Sequence, residues 1–491
     1  MKVKLLRALV YTMLMLVFNS CATYNKSMSS YYTNIQEHNY EQALHSLKNN
    51  KLIKKDRNAL LYNLEMGKIY RLQNNYVYSN LYLNAADQII ENNRKTIADI
   101  AVSNLLNPMH QTYLGEDHEQ FMMHYYKALN YANIGNTEDA VVEARRITLS
   151  ANTQNNKYKN KDNRYSNDAF ALNLQGIIYE MADDINNAFI SYRNAADIYI
   201  KNNNEYYGVK IPLQLQKDVL RTATILGFEV EQNQYKNEHN TSFIDTINNN
   251  GEVIIFLEEG QAPIKEEKNF VLTAGNNGIN SFTYFDENGY SQPFNFNANT
   301  YGISNEKLTD IRAFKLSLPV YNIQYYQQQK IFVANNGKNY EPQLVQNINN
   351  IAINILKERF VTEMANAVAR QVTKKLLEKG TEALAEGIAR STDKSEAKDT
   401  SQAAKDKTNF EKENRKNTAG NIAGLAVNIF NTITEKADTR NWQSLPAFVS
   451  YVRIPLQQGE NNIVVTANGK EKEIKINAAK GLQIISITLD N

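Results

Sequence analysis

Small residues and tyrosines recur at fixed offsets through the first half of this chain, and that pattern narrows the possible folds more than any other feature. Asn63-Leu-Glu-Met-Gly67-Lys-Ile-Tyr70 is followed by Tyr76, Ser79, Leu83 and Ala86. Leu172-Asn-Leu-Gln-Gly176-Ile-Ile-Tyr179 is followed by Ala188, Tyr192 and Ala195. A third copy runs through Ala128, Tyr131, Gly135, Ala140 and Ala144, and a weaker one ends at Tyr40, Ala43 and Leu47. Between Tyr31 and Gly227 apolar residues also return every three or four positions, which predicts helices with one buried face.

The copies resemble tetratricopeptide (TPR) repeats, units of roughly 34 residues with small and aromatic residues at helix-contact positions. Gly67, Ala128 and Gly176 let the first helix of each pair approach its partner closely. Ala43, Ala140 and Ala188 do the same from the second helix, and Tyr70, Tyr131 and Tyr179 fill the space beside these contacts. One repeat cannot bury its own apolar face, so the units must stack. The resemblance implies a helical solenoid over residues 21–235 with a groove for a partner, but names no partner. Asn107-Pro108 and the polar run Thr153–Asn167 interrupt the array, and Lys157, Lys159 and Lys161 read as solvated surface.

From Glu252 the pattern changes. Val253-Ile-Ile-Phe-Leu257 reads as a strand, with others at Asn269–Leu272, Phe282–Phe285, Ala313–Leu318 and Lys330–Val333. Gln343–Arg390 reads as a long amphipathic helix whose Leu344, Ile348, Ile351, Ile355, Met364, Val368 and Val372 share a face. Residues 391–417 form a charged loop without apolar anchors, followed by a helix at Ala419–Lys436. Gly420 and Gly424 there suit close packing on the first helix or a membrane dimer motif. Strands return at Phe448–Ile454, Asn462–Ala467, Glu471–Asn477 and Leu482–Leu489, with Asn468-Gly469 as a type I′ turn. The expected class is α+β multidomain: a TPR-like solenoid, then a β-sandwich-like domain (250–340 and 437–491) interrupted by a helical insertion (341–436).

The single cysteine, Cys21, follows a basic start (Lys2, Lys4, Arg7) and an apolar stretch, Ala8–Phe18, too short for the roughly 20 residues of a spanning helix. Residues 1–20 therefore read as a signal peptide. Ser20-Cys21 resembles the lipobox of bacterial lipoproteins, in which the cysteine is acylated and becomes the mature N-terminus. Ala22, rather than Asp, points to the outer membrane. The mature chain would be held at the periplasmic face of the envelope by its lipid alone.

Lys and Arg number 54 against 52 Asp and Glu, and no basic tract exists to neutralise phosphates, which argues against nucleic acid. No metal, cofactor or catalytic set is expected. His118 and His124 are six residues apart, not on one helix face as a zinc-binding pair requires. Glu258, Glu259, Glu266 and Glu267 offer carboxylates without a further motif. Asp438-Thr-Arg440-Asn-Trp442 is the one candidate cluster. Arg440 could clamp a carboxylate or phosphate and Trp442 could stack on a ligand; alternatively, Trp442 packs at the helix–sheet junction while Asp438 pairs with Arg440.

Glu258-Glu-Gly-Gln-Ala-Pro263, Ala437-Asp-Thr-Arg-Asn-Trp442-Gln-Ser-Leu-Pro446 and Arg453-Ile-Pro-Leu456-Gln-Gln-Gly459-Glu460 resemble signature segments of an uncharacterised bacterial family of TPR lipoproteins. Some members are encoded beside lipoprotein activators of penicillin-binding proteins. The resemblance implies an envelope role, brings no active site, and suggests envelope proteins or peptides as partners, among them the cell-wall synthesis machinery. The expectation is a non-catalytic, lipid-anchored periplasmic scaffold binding partners through a TPR groove. The alternative is a factor that binds or hydrolyses peptidoglycan.

Overall fold

The computed structural model describes residues 24–94, 108–157, 168–239, 248–274, 281–285, 291–296, 313–322, 327–392 and 436–489. Residues 1–20, Cys21, the predicted helix Ala419–Lys436 up to residue 435 with Gly420 and Gly424, and the predicted loop 391–417 lie outside them, except that residues 391 and 392 still belong to the preceding helix. The fold is mixed α and β, with a helical N-terminal half and several small sheets.

The helical half is a row of hairpins. They are α1 (Tyr24–Gln36) with α2 (Tyr40–Asn49), α3 (Ala59–Leu72) with α4 (Tyr76–Arg94), and α5 (Asp117–Asn133) with α6 (Thr137–Lys157). They continue with α7 (Ala169–Met181) and α8 (Ile185–Lys201), then α9 (Leu213–Leu226) and α10 (Glu229–His239). Every hairpin turns in the same way. A left-handed residue (His38, Asn74, Gly135, Asp183 or Gly227) ends the first helix. The next N–H then reaches back five residues, as from Asn75 to the Tyr70 carbonyl at 2.8 Å, Asn136 to Tyr131 at 2.9 Å and Asp184 to Tyr179 at 2.9 Å. These bonds satisfy carbonyls that a helix end otherwise leaves open. The repeated tyrosines thus hold a fixed place four residues before each turn.

Their side chains behave less uniformly than their backbones. Tyr179 is buried, but Tyr70 and Tyr131 sit at the rim, Tyr70 stacked on Tyr82 with ring centroids 5.5 Å apart. The small positions carry the close packing. Ala128, Ala140 and Ala188 are fully buried, and a Cβ added at Gly176 would lie 2.5 Å from the Tyr192 ring. At Gly67 it would meet Leu83 at the same distance.

A two-stranded ribbon, β1 (Glu205–Tyr206) and β2 (Val209–Lys210), precedes α9. The next strands are β3 (Glu252–Glu259), β4 (Ile264–Ala274), β5 (Ser281–Phe285), β6 (Ser291–Asn295) and β7 (Ala313–Asn322). They are followed by β8 (Ile331–Asn335), β9 (Lys338–Tyr340) and β10 (Gln343–Asn347). Residues 343–347 are therefore a strand rather than the start of the predicted helix. They pair with residues after the helix, which outweighs the apolar spacing of Leu344. Helix α11 runs Ile348–Thr392, and β11 (Phe448–Pro455), β12 (Glu460–Ala467), β13 (Lys470–Asn477) and β14 (Leu482–Thr488) close the chain. Between β12 and β13, Asn468 and Gly469 both take positive φ, the geometry of a type I′ turn.

Three four-stranded sheets result, ordered β10-β11-β3-β14, β13-β12-β8-β9 and β6-β5-β4-β7. In the first, β3 lies antiparallel to β11 and parallel to β14. Strands from both sides of α11 therefore share one sheet. Val253, Ile255 and Leu257 turn to one face and meet Val333, Ile463 and Val465 of the second sheet. Ile254 and Phe256 turn to the other face and meet the helices. Burial on both faces explains the unbroken apolar run of β3. The third sheet stands apart: Phe270, Leu272, Leu316 and Leu318 pack on Met364, Val368 and Val372 of α11. That helix changes partners along its length, because Ile348, Ile351 and Ile355 belong to the core shared with the hairpins.

Candidate functional site

The first helices of the hairpins turn their inner surface onto the first sheet, and the polar residues of both halves meet there. Glu258, next to last in β3, faces the helices. Lys68 of α3 reaches it at 2.7 Å, and the hydroxyls of Tyr125 and Tyr126 of α5 each donate to it at 3.1 Å. Arg71, one turn beyond Lys68, bonds Asn130 and Ser486 of β14. Burial opposes ionisation of Glu258, but Lys68 and Arg71 outweigh it and hold the carboxyl below its ordinary range. Burial draws Lys68 downward despite Glu258. Glu259 points to the opposite face, as strand alternation requires, where the Gln329 N–H binds it at 2.9 Å. The two carboxylates cannot act as a catalytic pair.

The Asp438–Trp442 segment lies on the same junction. Arg440 is 1 % exposed. Its Nε and one terminal nitrogen bind Asp438 at 2.8 and 2.6 Å. Its remaining N–H groups reach Asn58 Oδ1 at 2.8 Å, the Gln111 carbonyl at 3.0 Å and the Pro108 carbonyl at 3.1 Å. With its fork used in this way, no donor is left to clamp a ligand. Trp442 is fully buried, edge-on to Tyr126, with its indole N–H on Ser444 at 3.0 Å. No face of its ring is open for stacking.

Two carboxylates beneath this segment accept bonds from neutral donors. Glu65 receives Tyr31 at 3.0 Å, Tyr32 at 2.8 Å, and Ser444. Glu119 receives the Trp442 N–H at 2.7 Å and the Tyr113 hydroxyl at 2.6 Å. Burial pushes each carboxyl up to about 7. Nearby, burial lowers His118 to about 4, leaving its imidazole neutral at ordinary pH. A fourth knot joins the far end of the helices to the sheet. Arg453 of β11 meets Glu252 at 2.6 Å and Glu180 at 2.7 Å, and Arg221 meets Glu180 at 2.8 Å and Asp218 at 2.9 Å. Burial works against ionising Glu180, but the two arginines hold it well below the usual range. At Asp218 burial dominates and raises the carboxyl.

Asp87, His124 and Glu143 come close enough together to suggest a metal site. The cation position is taken: Lys127 Nζ lies 2.7 Å from Asp87 and 2.8 Å from Glu143, and His124 Nδ1 is 2.9 Å from Glu143. A metal would have to displace a buried ammonium.

Several cavities open at the edges of the junction, one of about 220 Å³ beside Lys68, Arg71 and Ser486, and two others bear on the site. One, of about 230 Å³, lies between the 108–116 loop, sheet three and α11. Its Lys265 and Arg359 are both held by Glu116. The other, of about 870 Å³, lies where α9 meets the rims of sheets one and two. Sequence reasoning found neither the carboxylates Glu65 and Glu119 nor this larger cleft. The repeat pattern gave no signal for the first: Glu65 is two residues from Gly67, roughly 200° around the helix from the face that the small residues mark as buried.

No protein family profile matches the chain, and no curated protein matches it. Among solved structures, the crystal structure of MamA protein aligns with 45 % of this chain and 96 % of its own, at 13 % identity and a TM-score of 0.26. At that score the likeness carries no argument about fold or function. No helix among the described residues is long and apolar enough to cross a membrane.

Proposed function

We propose that this protein is a non-catalytic scaffold of the bacterial envelope, anchored through an acylated Cys21. Its helical half would be a TPR-like solenoid and its first two sheets a sandwich-like domain. One observation carries the reading: the polar residues most suited to chemistry or ligand capture (Glu258, Lys68, Arg440 and Trp442) are engaged in joining the two halves. The inner helical surface, expected to hold a partner, is covered by the chain's own strands. Protein partners would then meet the outer, second helices, where Val77, Tyr78 and Leu81 on α4 and Val142 on α6 stay exposed. The resemblance of segments 258–263, 437–446 and 453–460 to a TPR lipoprotein family supports an envelope setting, with the outer membrane as the surface and envelope proteins or peptides as partners.

Two experiments test this. Fractionation of a Cys21→Ser variant should move the protein from the membrane to the soluble fraction; unchanged membrane retention removes the lipid anchor from the reading. Crosslinking in intact envelopes should recover reproducible partners that Leu81→Asp diminishes. Recovery of the same partners at the same yield with Leu81→Asp rules out this outer face.

A further inference from the structure

We infer that the cleft between α9 and the rims of the first two sheets binds an oligosaccharide. Its walls come from four separate parts of the fold: Gln214 and Lys217 of α9, the 248–252 turn, the β8–β9 hairpin and the β11–β12 connection. It is therefore formed where α9 packs on the first two sheets rather than by one loop. At about 870 Å³ it can take several sugar rings.

Its chemistry is that of uncharged hydrogen bonding. Seven of its eighteen lining residues are Asn or Gln. A side-chain amide offers a donor and an acceptor side by side, which matches neighbouring sugar hydroxyls that both donate and accept. Asn250, Asn339 and Gln457 are exposed at the rim, and Tyr340, half-buried beside Asn339, supplies a flat apolar surface for a sugar face. Beneath the rim, Asn335 Oδ1 and Arg453 Nε are buried without hydrogen-bond partners among the described residues. Such groups favour a bridging water or a ligand hydroxyl.

Charge and topology disfavour other ligands. Arg453 is already held by Glu252 and Glu180, and Lys217 and Lys338 stand against Glu341, which is too little positive charge for a polyanion. A peptide could add to a sheet edge, but β9 is only three residues long. The outer side of β10 lies against β2. The cleft also lies apart from Val77, Tyr78 and Leu81, so a scaffold surface and a sugar site stand or fall separately.

The test is calorimetric titration of the purified full chain with the tetramer of N-acetylglucosamine, with maltotetraose and with tetra-alanine. A saccharide should bind with sub-millimolar affinity. The double variant Asn339→Ala/Gln457→Ala, both exposed at the cleft rim, should weaken binding at least tenfold while circular dichroism and Tm stay unchanged. Leu81→Asp should bind the saccharide as the parent does. Heat from neither saccharide, from the peptide alone, or undiminished in the double variant overturns the inference.

Discussion

Lys68 and Glu258 stand 2.7 Å apart though 190 positions separate them along the chain, and both are buried. One belongs to a helical hairpin, the other to the central strand of the first sheet. Two charges removed from water are tolerable together and costly alone. The pair therefore ties the placement of the two halves to one another.

Removing one member should be severe. Lys68→Met leaves Glu258 buried with two tyrosine hydroxyls and the charge of Arg71, a change expected to cost about 3–5 kcal/mol. Chemical denaturation should show that loss, and adding Glu258→Gln should recover much of it. A double variant as unstable as the sum of the singles would mean that the pair is not coupled.

Arg440 is expected to resist conservative replacement. Lysine keeps the charge but cannot bind Asp438 with two nitrogens while also reaching Asn58 and two carbonyls. Arg440→Lys should lose on the order of 2–4 kcal/mol. Amide exchange should rise first in residues 108–113, and unaltered protection there would count against the clamp.

The repeat glycines should differ in sensitivity. At Gly176 a new methyl meets the rigid ring of Tyr192, whereas at Gly67 it meets the end of a flexible leucine, Leu83. Overpacking of this kind costs roughly 1–3 kcal/mol. Gly176→Ala should fall at the upper end of that range in thermal melts and Gly67→Ala at the lower. The reverse order would disprove the packing argument.

Acidity should affect stability through Glu65. Burial raises its carboxyl from the ordinary 4.5 to about 7 in the folded protein. The folded state thus holds a proton that the unfolded state releases first. Its contribution is complete below pH 4.5, declines as the pH rises, and is gone above about 7. A shift of that size corresponds to about 3 kcal/mol. Glu116, Glu180 and Glu258 are shifted in the opposite direction, so the difference between parent and Glu65→Gln is the informative quantity. It should change steadily between pH 4.5 and 7, and a flat difference would show that Glu65 does not titrate there.

Local patterns were legible in the sequence where one element decides them. The hairpins followed from three- and four-residue spacing, and most strands from their apolar runs or alternation. The turn at Asn468-Gly469 followed from its two residues alone. What depends on distant pairing was hidden. Residues 343–347 carry a helical spacing and become a strand because β11 lies beside them. Nothing near Lys265 says that β4 joins β5 and β7 instead of the sheet containing β3. The Asp438–Trp442 segment stood out by its residue types, yet only the fold shows that Arg440 binds inward to Asn58, Pro108 and Gln111. Glu65, Glu119 and the larger cleft were missed because each draws its surroundings from parts of the chain far apart in number.

The position of β3 between β11 and β14 also bears on how the chain is made. An emerging polypeptide completes its hairpins early, yet β3 has neither neighbour until residues 448–488 have followed. During that interval Lys68, Glu65 and Glu119 have only the tyrosines of the helical half as partners and lack Glu258, Ser444 and Trp442. The helical half must wait, hydrated or shielded, for the last strands to arrive. A product cut short before residue 442 would keep an ionic, adhesive surface uncovered, and so would present itself to proteases as incomplete.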